Sequence, residues 1–355
     1  MPIIASPPAS LATLAARVDT RLRGLLAVEE QRWREFDEDL AEPVAEIGRL
    51  VLAGGKRLRP AFCHWGFVGA GGDPADPMVV NAGAAFELMH AFALFHDDVM
   101  DDAATRRGAP TTHTVFSRYH ADGDWGGESR RFGEGVAILV GDLAFVYADQ
   151  LLAGASAAAW AVWNELRVEL NMGQLLDIMG GVRNERRRFK AERICRYKSG
   201  KYTIERPLHL GAVLAAPERA TELLPALSAY GLPLGDAFQM RDDVMGAFGD
   251  AGVTGKPVGG DLREGKPTPL MARAVEAATP AQRAVLAAVG RPGLTDQEVE
   301  CIQAAIVETG ALADLEAHIV ALTDEAIAAI RTAPIAAAAQ HELVELAHYV
   351  SQRLV

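Results

Sequence analysis

MVVNAGAAFELMHAFALFHDDVMDD, residues 78–102, is the most informative segment of this chain. From Met78 to Phe95 it is apolar on nearly every side, and apart from Glu87 charge appears only at its acidic end. A helix tolerates apolar residues all round only when neighbours surround it, so this one is expected at the centre of a bundle. Elsewhere alanine and leucine recur, alternating β-branched runs are scarce, and apolar positions follow a helical period. The expected fold is therefore all-α. Helices are expected from about Leu11 to Ala53, Arg59 to Val68, Pro77 to Ala103, Gly135 to Ala153, Ala158 to Gly181, Phe189 to Gly200, Ile204 to Ala215 and Thr221 to Phe248, with several more after Thr268.

The 355 residues, half of them hydrophobic, suffice for one large core or two ordinary ones. With no fixed-period repeat, the simplest organisation is one helical domain over residues 11–355, preceded by a short flexible lead of residues 1–10. Lys and Arg total 35 against 47 Asp and Glu, and no long basic tract interrupts the net charge of -12. Such a chain repels nucleic acid. Cys63, Cys195 and Cys301 are odd in number and far apart, which suits a reducing cytoplasm better than a disulfide framework. The start lacks the basic and apolar regions of a secretory signal. Leu151 to Trp163, read as the longest apolar run, falls short of the roughly 20 residues of a membrane span, so no transmembrane segment is expected. The glycine- and charge-rich ADGDWGGESRRFGEG, residues 121–135, reads as a surface loop.

Two acidic clusters carry the chemistry. Asp97 and Asp101 are four residues apart, which places both carboxylates on one helix face. Like charges at that spacing repel unless cations neutralise them, and carboxylate oxygens are the ligands magnesium prefers. FQMRDDVMGAFGD, residues 238–250, puts Asp242 and Asp243 near the end of a second helix. Magnesium is typically held by one or two carboxylates plus substrate phosphates, so two such pairs suit a diphosphate substrate.

GGKRLRP at residues 54–60, DDVMD followed by RRG at 97–108, GQLLD at 173–177, YKSGKYT at 197–203, FQMRDD at 238–243 and GKPVGGDLREGKPT at 255–268 occur in one order. Together they resemble the trans-isoprenyl diphosphate synthase, or polyprenyl synthetase, family over about residues 54–270. The resemblance implies a single-domain helical bundle around a central cavity, of the isoprenoid synthase type, working as a homodimer. It implies that Asp97, Asp101 and Asp242 bind Mg2+, three ions with substrate present, and that Lys198 and Gln239 act beside them. Lys56, Arg59, His90 and Arg107 would hold isopentenyl diphosphate. Arg106, Lys198, Ser199, Gln239, Lys256 and Lys266 would surround the allylic diphosphate, and Gln174 would line the reacting region. Two positions depart from the family pattern: Gly246 stands where a fifth-position aspartate is common, with Asp250 the nearby carboxylate, and Ser199 replaces threonine.

The implied reaction ionises an allylic diphosphate, adds isopentenyl diphosphate to the cation and loses a proton, with no protein nucleophile. Charge stabilisation and exclusion of water would provide the rate. Phe92 and Ala93, five and four residues before Asp97, are the positions whose bulk sets product length in the family. An aromatic followed by a small residue fits geranylgeranyl diphosphate, with farnesyl diphosphate as the alternative. A class I terpene cyclase and a noncatalytic partner subunit are the rival readings. GGKRLRP and RRG argue against the first, and intact Asp97, Asp101 and Asp242 against the second.

Overall fold

The computed structural model describes residues 6–106, 108–249 and 259–352. They are overwhelmingly helical, and the sheet is confined to a two-residue antiparallel pairing of Thr105–Arg106 with Ala109–Pro110. The chain divides into two compact units. An N-terminal unit holds Ala9–His64 and Asp73–Ser156; a C-terminal unit is made chiefly of Trp65–Gly72 and Ala157–Val355.

The N-terminal unit contains α1 (Ala9–Phe36), α2 (Ala41–Leu52), the start of α3 (Leu58–Gly69), α4 (Pro77–Met100), α5 (Thr112–Asp122) and α6 (Ser129–Leu151). Asp76 caps α4 by accepting the Met78 N–H at 2.8 Å, and Pro77 occupies the first turn, where its missing N–H is harmless. Ala82, Ala84, Ala85, Phe86, Leu88 and Met89 on α4 are wholly buried. Each large apolar side chain so buried stabilises by roughly 1.5–3 kcal/mol. Gly141 lets α6 close on α4, since a β-carbon there would run into the His96 ring. Among the described residues α4 is the helix long and apolar enough to cross a membrane, so the longest apolar segment is this one and not Leu151 to Trp163. With 61% of its most apolar window buried inside the protein, it is a core helix.

The C-terminal unit contains α7 (Ala157–Val182), α8 (Arg188–Ile194), a π-helix (Cys195–Glu205), α9 (Arg206–Ala215) and α10 (Ala220–Phe248). After them come α11 (Gly260–Glu264), α12 (Pro269–Ala277), α13 (Pro280–Leu286), α14 (Asp296–Glu308), α15 (Ala311–Thr332) and α16 (Ala337–Ser351). The central helix is α10, packed by α15, α16 and the π-helix. Met240 and Val244 of α10 join Leu270, Ile306, Leu315 and Ile319 in one buried cluster.

Three expectations need correction. The helix expected from Leu11 to Ala53 breaks at Asp37, whose backbone is extended and whose side chain accepts the Asp39 N–H, and a 3₁₀ turn follows. Residues 121–135 are not one loop: α5 runs to Asp122 and α6 starts at Ser129. An Arg130–Glu134 pair at 2.6 Å supports the first turn of α6, and Phe132 packs on Trp125 and His120. The helix expected from Phe189 to Gly200 changes from α to π at Cys195. Apolar period cannot distinguish these two helices.

Candidate active site

In the N-terminal unit the acidic end of α4 is built together with the hairpin that follows. Asp101 caps the helix, its N–H bonding to the Asp97 carbonyl, and Asp102 turns the chain in a left-handed conformation (φ 51). The short strand pair then brings Arg106 back onto the cluster. Its guanidinium lies 2.6 Å from Asp98 Oδ1 and 3.5 Å from Asp97 Oδ2. Burial raises the Asp98 carboxyl above the ordinary carboxylate range, Arg106 opposes that, and neighbouring Asp97 reinforces it. Arg107, in the same hairpin, lies outside the described residues.

GGKRLRP is shaped by its backbone. Gly54 at φ 93 takes a conformation that only glycine adopts easily. Arg57, at φ 50, is buried. It donates to Asp19 at 3.0 Å and to the Val51 carbonyl at 2.5 Å, and it pairs with Glu87 of α4. Removing this guanidinium from water opposes its charge, but Glu87 and Asp19 outweigh that and raise its pKa. The anchor fixes the turn carrying exposed Lys56 and half-buried Arg59. His90 lies half-buried on α4, one turn before Ala93 and two before Asp97. His96 bonds the Ile138 carbonyl at 3.1 Å and approaches Asp142 at 3.5 Å, so it braces α4 against α6. Phe92 is half-buried, with its ring centroid 4.7 Å from His96 and 4.8 Å from Phe145 on α6.

In the C-terminal unit the π-helix presents Lys198, whose Nζ lies 2.5 Å from Asp177 Oδ2 on α7. Gly173 makes this possible: a β-carbon there would collide with the backbone of Tyr197 and Lys198. Lys201 on the π-helix and Arg206, the first residue of α9, each pair with Glu169 of α7 at 2.6 Å. The two contacts hold the π-helix along α7, with Ser199 half-buried between them. Gln174 shares α7 with Asp177.

On α10, Gln239 donates to Asp243 Oδ1 at 2.9 Å, while Asp243 Oδ2 is buried with no hydrogen-bond partner. Burial pushes the Asp243 carboxyl far above its ordinary value; Asp261 and Asp242 push the same way, and the Gln239 bond and Lys266 oppose them. Asp242 is more exposed than Asp243. Lys266 Nζ lies 2.7 Å from Glu264 and 3.8 Å from Asp261. Lys256 and Asp250 lie outside the described residues.

The donor chemistry fits magnesium. Both clusters offer carboxylate oxygens, and a buried carboxylate oxygen without a bonding partner is an arrangement that a nearby cation stabilises. Among the described residues no three ligating side chains converge closely enough to hold an ion unaided. Magnesium tolerates that, because waters and substrate phosphates complete its coordination.

Motif reading gave no structural role to Asp98 or Glu87. Glu87 had carried a signal, since a lone carboxylate in an apolar helix requires a buried partner. Phe145 carried none, because its position opposite Phe92 depends on the packing of α6.

Comparison with known proteins agrees with this chemistry. The chain is 31% identical over 315 residues to a geranylfarnesyl diphosphate synthase of Aeropyrum pernix, covering 86% of this chain and 92% of that one. It is 33% identical over 293 residues to a geranylgeranyl diphosphate synthase of Mycobacterium tuberculosis, covering 77% of each. A crystal structure of geranylgeranyl pyrophosphate synthase from Corynebacterium glutamicum, complexed with isoprenyl diphosphate and magnesium, superposes with a TM-score of 0.89 at 36% identity, over 96% of this chain and 99% of that one. Residues 41–307 match the polyprenyl synthetase profile, and on that match the chain belongs to the polyprenyl synthetase family.

Proposed function

We propose that this protein is a magnesium-dependent prenyltransferase that joins isopentenyl diphosphate to dimethylallyl, geranyl and farnesyl diphosphates and releases geranylgeranyl diphosphate. The observation that carries the reading is the pair of aspartate-bearing helix ends, α4 and α10, each built with basic side chains from a family motif. Asp97, Asp101 and Asp242 are the magnesium-binding carboxylates. When bound, three magnesium ions draw charge into the leaving diphosphate. Lys198, Lys266, Lys256 and Arg106 neutralise that group further, with Ser199 and Gln239 as hydrogen-bond donors. Lys56, Arg59, His90 and Arg107 hold isopentenyl diphosphate. The separating charge is stabilised by groups already in place, so little reorganisation is needed at the moment of ionisation.

Product length follows from α4. Ala93 leaves room for the growing tail on the face of Asp97, and Phe92, wedged between His96 and Phe145, limits it. The catalytic domain spans residues 11–355, in a cytoplasmic homodimer. Exposed apolar residues on α6 (Ile138, Leu139, Val146) and on α7 (Val168, Met172, Leu175, Ile178, Val182) support self-association. Labelled isopentenyl diphosphate supplied with each allylic starter tests the function. Label is expected in a twenty-carbon diphosphate, and incorporation is expected to stop when magnesium is chelated. Label that stays in isopentenyl diphosphate with every starter, magnesium present, would overturn the assignment.

A further inference from the structure

RNERRRFKAER, residues 183–193, holds six basic and two acidic residues in eleven positions, within a chain whose net charge is -12. The tract is too short to reverse that balance, but the fold keeps it together at the surface. It joins α7 to α8 and continues along α8. Two of its cations are neutralised locally: Arg187 pairs with Glu185 at 2.5 Å and Arg188 with Glu192 at 2.8 Å. Arg183 and Arg193 are exposed and Lys190 is half-buried, and among the described residues none of these three pairs with a carboxylate.

A second observation is apolar. On α8, Ala191 and Ile194 turn into the core, whereas Phe189 turns outward and is 53% exposed. The Arg187 guanidinium and the Lys190 ammonium stand 5.4 and 5.8 Å from its ring centroid. An exposed aromatic ring among cations settles at the headgroup level of an anionic bilayer, the ring entering the interface and the cations meeting the lipid phosphates. A surface that only attracted small soluble anions would need no exposed ring. The third observation is position. Val182 ends α7 five residues, roughly 8 Å, beyond Asp177. Arg186 turns inward to donate to the Gly265 carbonyl at 3.3 Å and to that of Lys266 at 3.5 Å. The basic surface is thus tied to the backbone of the loop that presents Lys266.

We propose that Phe189, with Arg183, Lys190 and Arg193, docks this protein on an anionic lipid surface, beside the groups assigned to the allylic diphosphate. Only charges within a Debye length, about 8 Å at physiological salt, act on such a surface, so the acidic remainder of the chain does not prevent the contact. In its purpose the proposal rests on the reading that the protein releases a twenty-carbon diphosphate, itself an amphiphile that enters bilayers. Vesicle binding needs no turnover, so the two can fail separately.

The test is co-sedimentation of the full chain with vesicles of phosphatidylcholine alone and of phosphatidylcholine mixed with phosphatidylglycerol. Binding is expected with the mixed vesicles only, and release at about 1 M salt, where charges act within about 3 Å. Arg183→Gln with Lys190→Gln and Arg193→Gln is expected to weaken binding on the order of 100-fold, from roughly fivefold for each basic residue near the surface. Phe189→Ser, with the charge unchanged, is expected to weaken it about 10-fold. Both variants should keep wild-type prenyl transfer in the absence of vesicles. Equal sedimentation with the two vesicle types overturns the proposal, and that comparison uses the unaltered chain, so it holds whether or not the variants fold. A folded triple variant that binds mixed vesicles as wild type does overturns it as well. Vesicle binding by a chain that transfers no prenyl group overturns the functional reading and leaves the docking surface standing; prenyl transfer without vesicle binding does the reverse.

Discussion

In the proposed function Phe92 limits the length of the product. Its ring is held from two sides, by His96 one turn along α4 and by Phe145 across the α4–α6 contact. It therefore has little freedom to swing away from a lengthening tail. Phe92→Ala is expected to shift the main product upward by about one five-carbon unit or more, and Ala93→Phe to shift it downward, as read by product mass. Unchanged masses in both variants would place the limit elsewhere. His209 offers a different single-residue test. Burial pushes its pKa down to about 4, while its Nε2 lies 3.1 Å from the Leu224 carbonyl and 3.0 Å from the Ser228 hydroxyl. The unfolded chain takes up this proton near pH 6.5 and the folded chain only near 4, so stability is full above about 6.5 and falls as pH drops toward 4. The slope for one such site reaches about 1.4 kcal/mol per pH unit. His64, also lowered to about 4 by burial and Arg17, acts in the same direction. Because the raised carboxyls of Asp98 and Asp243 act in the opposite direction, the test is a difference: between pH 7 and 5, His209→Asn should lose less unfolding free energy, or gain more, than wild type.

At the scale of elements, the π-helix and α7 form the most demanding contact in the C-terminal unit. Two lysine–carboxylate pairs, Lys198–Asp177 and Lys201–Glu169, lie on either side of a glycine that lets the backbones meet. A methyl group at Gly173 must push the π-helix away, moving Lys198 and Ser199 together. Gly173→Ala is expected to cost about 1–3 kcal/mol in denaturant unfolding, the range for overpacking. It should lower turnover by about a hundredfold, because small misplacements of binding groups have effects of that size. Gly181→Ala on the same helix, with open space around the added carbon, is the control and should leave both unchanged.

For the whole molecule, α6 and α7 each leave an apolar face exposed, with Leu139 at 67% and Met172 at 54%. A pair of chains covering these faces removes them from water. Light scattering is expected to give twice the 37.9 kDa of one chain. Leu139→Glu with Met172→Glu should reduce that to a single chain; a mass that stays at the dimer value would place the interface on other faces.

The sequence alone determined the helical class, the burial of α4 and the identity of the two acidic clusters, because each depends on residues a few positions apart. Hydrophobic period and the i, i+4 spacing of Asp97 and Asp101 are local quantities. Motif order carried the family. Tertiary structure decided what local spacing cannot encode. It closed Gly173 against residues 195–205, which run as a π-helix, and assigned Arg57 to a buried bond with Glu87 thirty residues away. It set Phe145 behind Phe92, and packed Asp261 against Gly246, fifteen positions upstream. Each of these is a contact between distant segments, fixed by close packing and by the cost of leaving a buried charge unpaired.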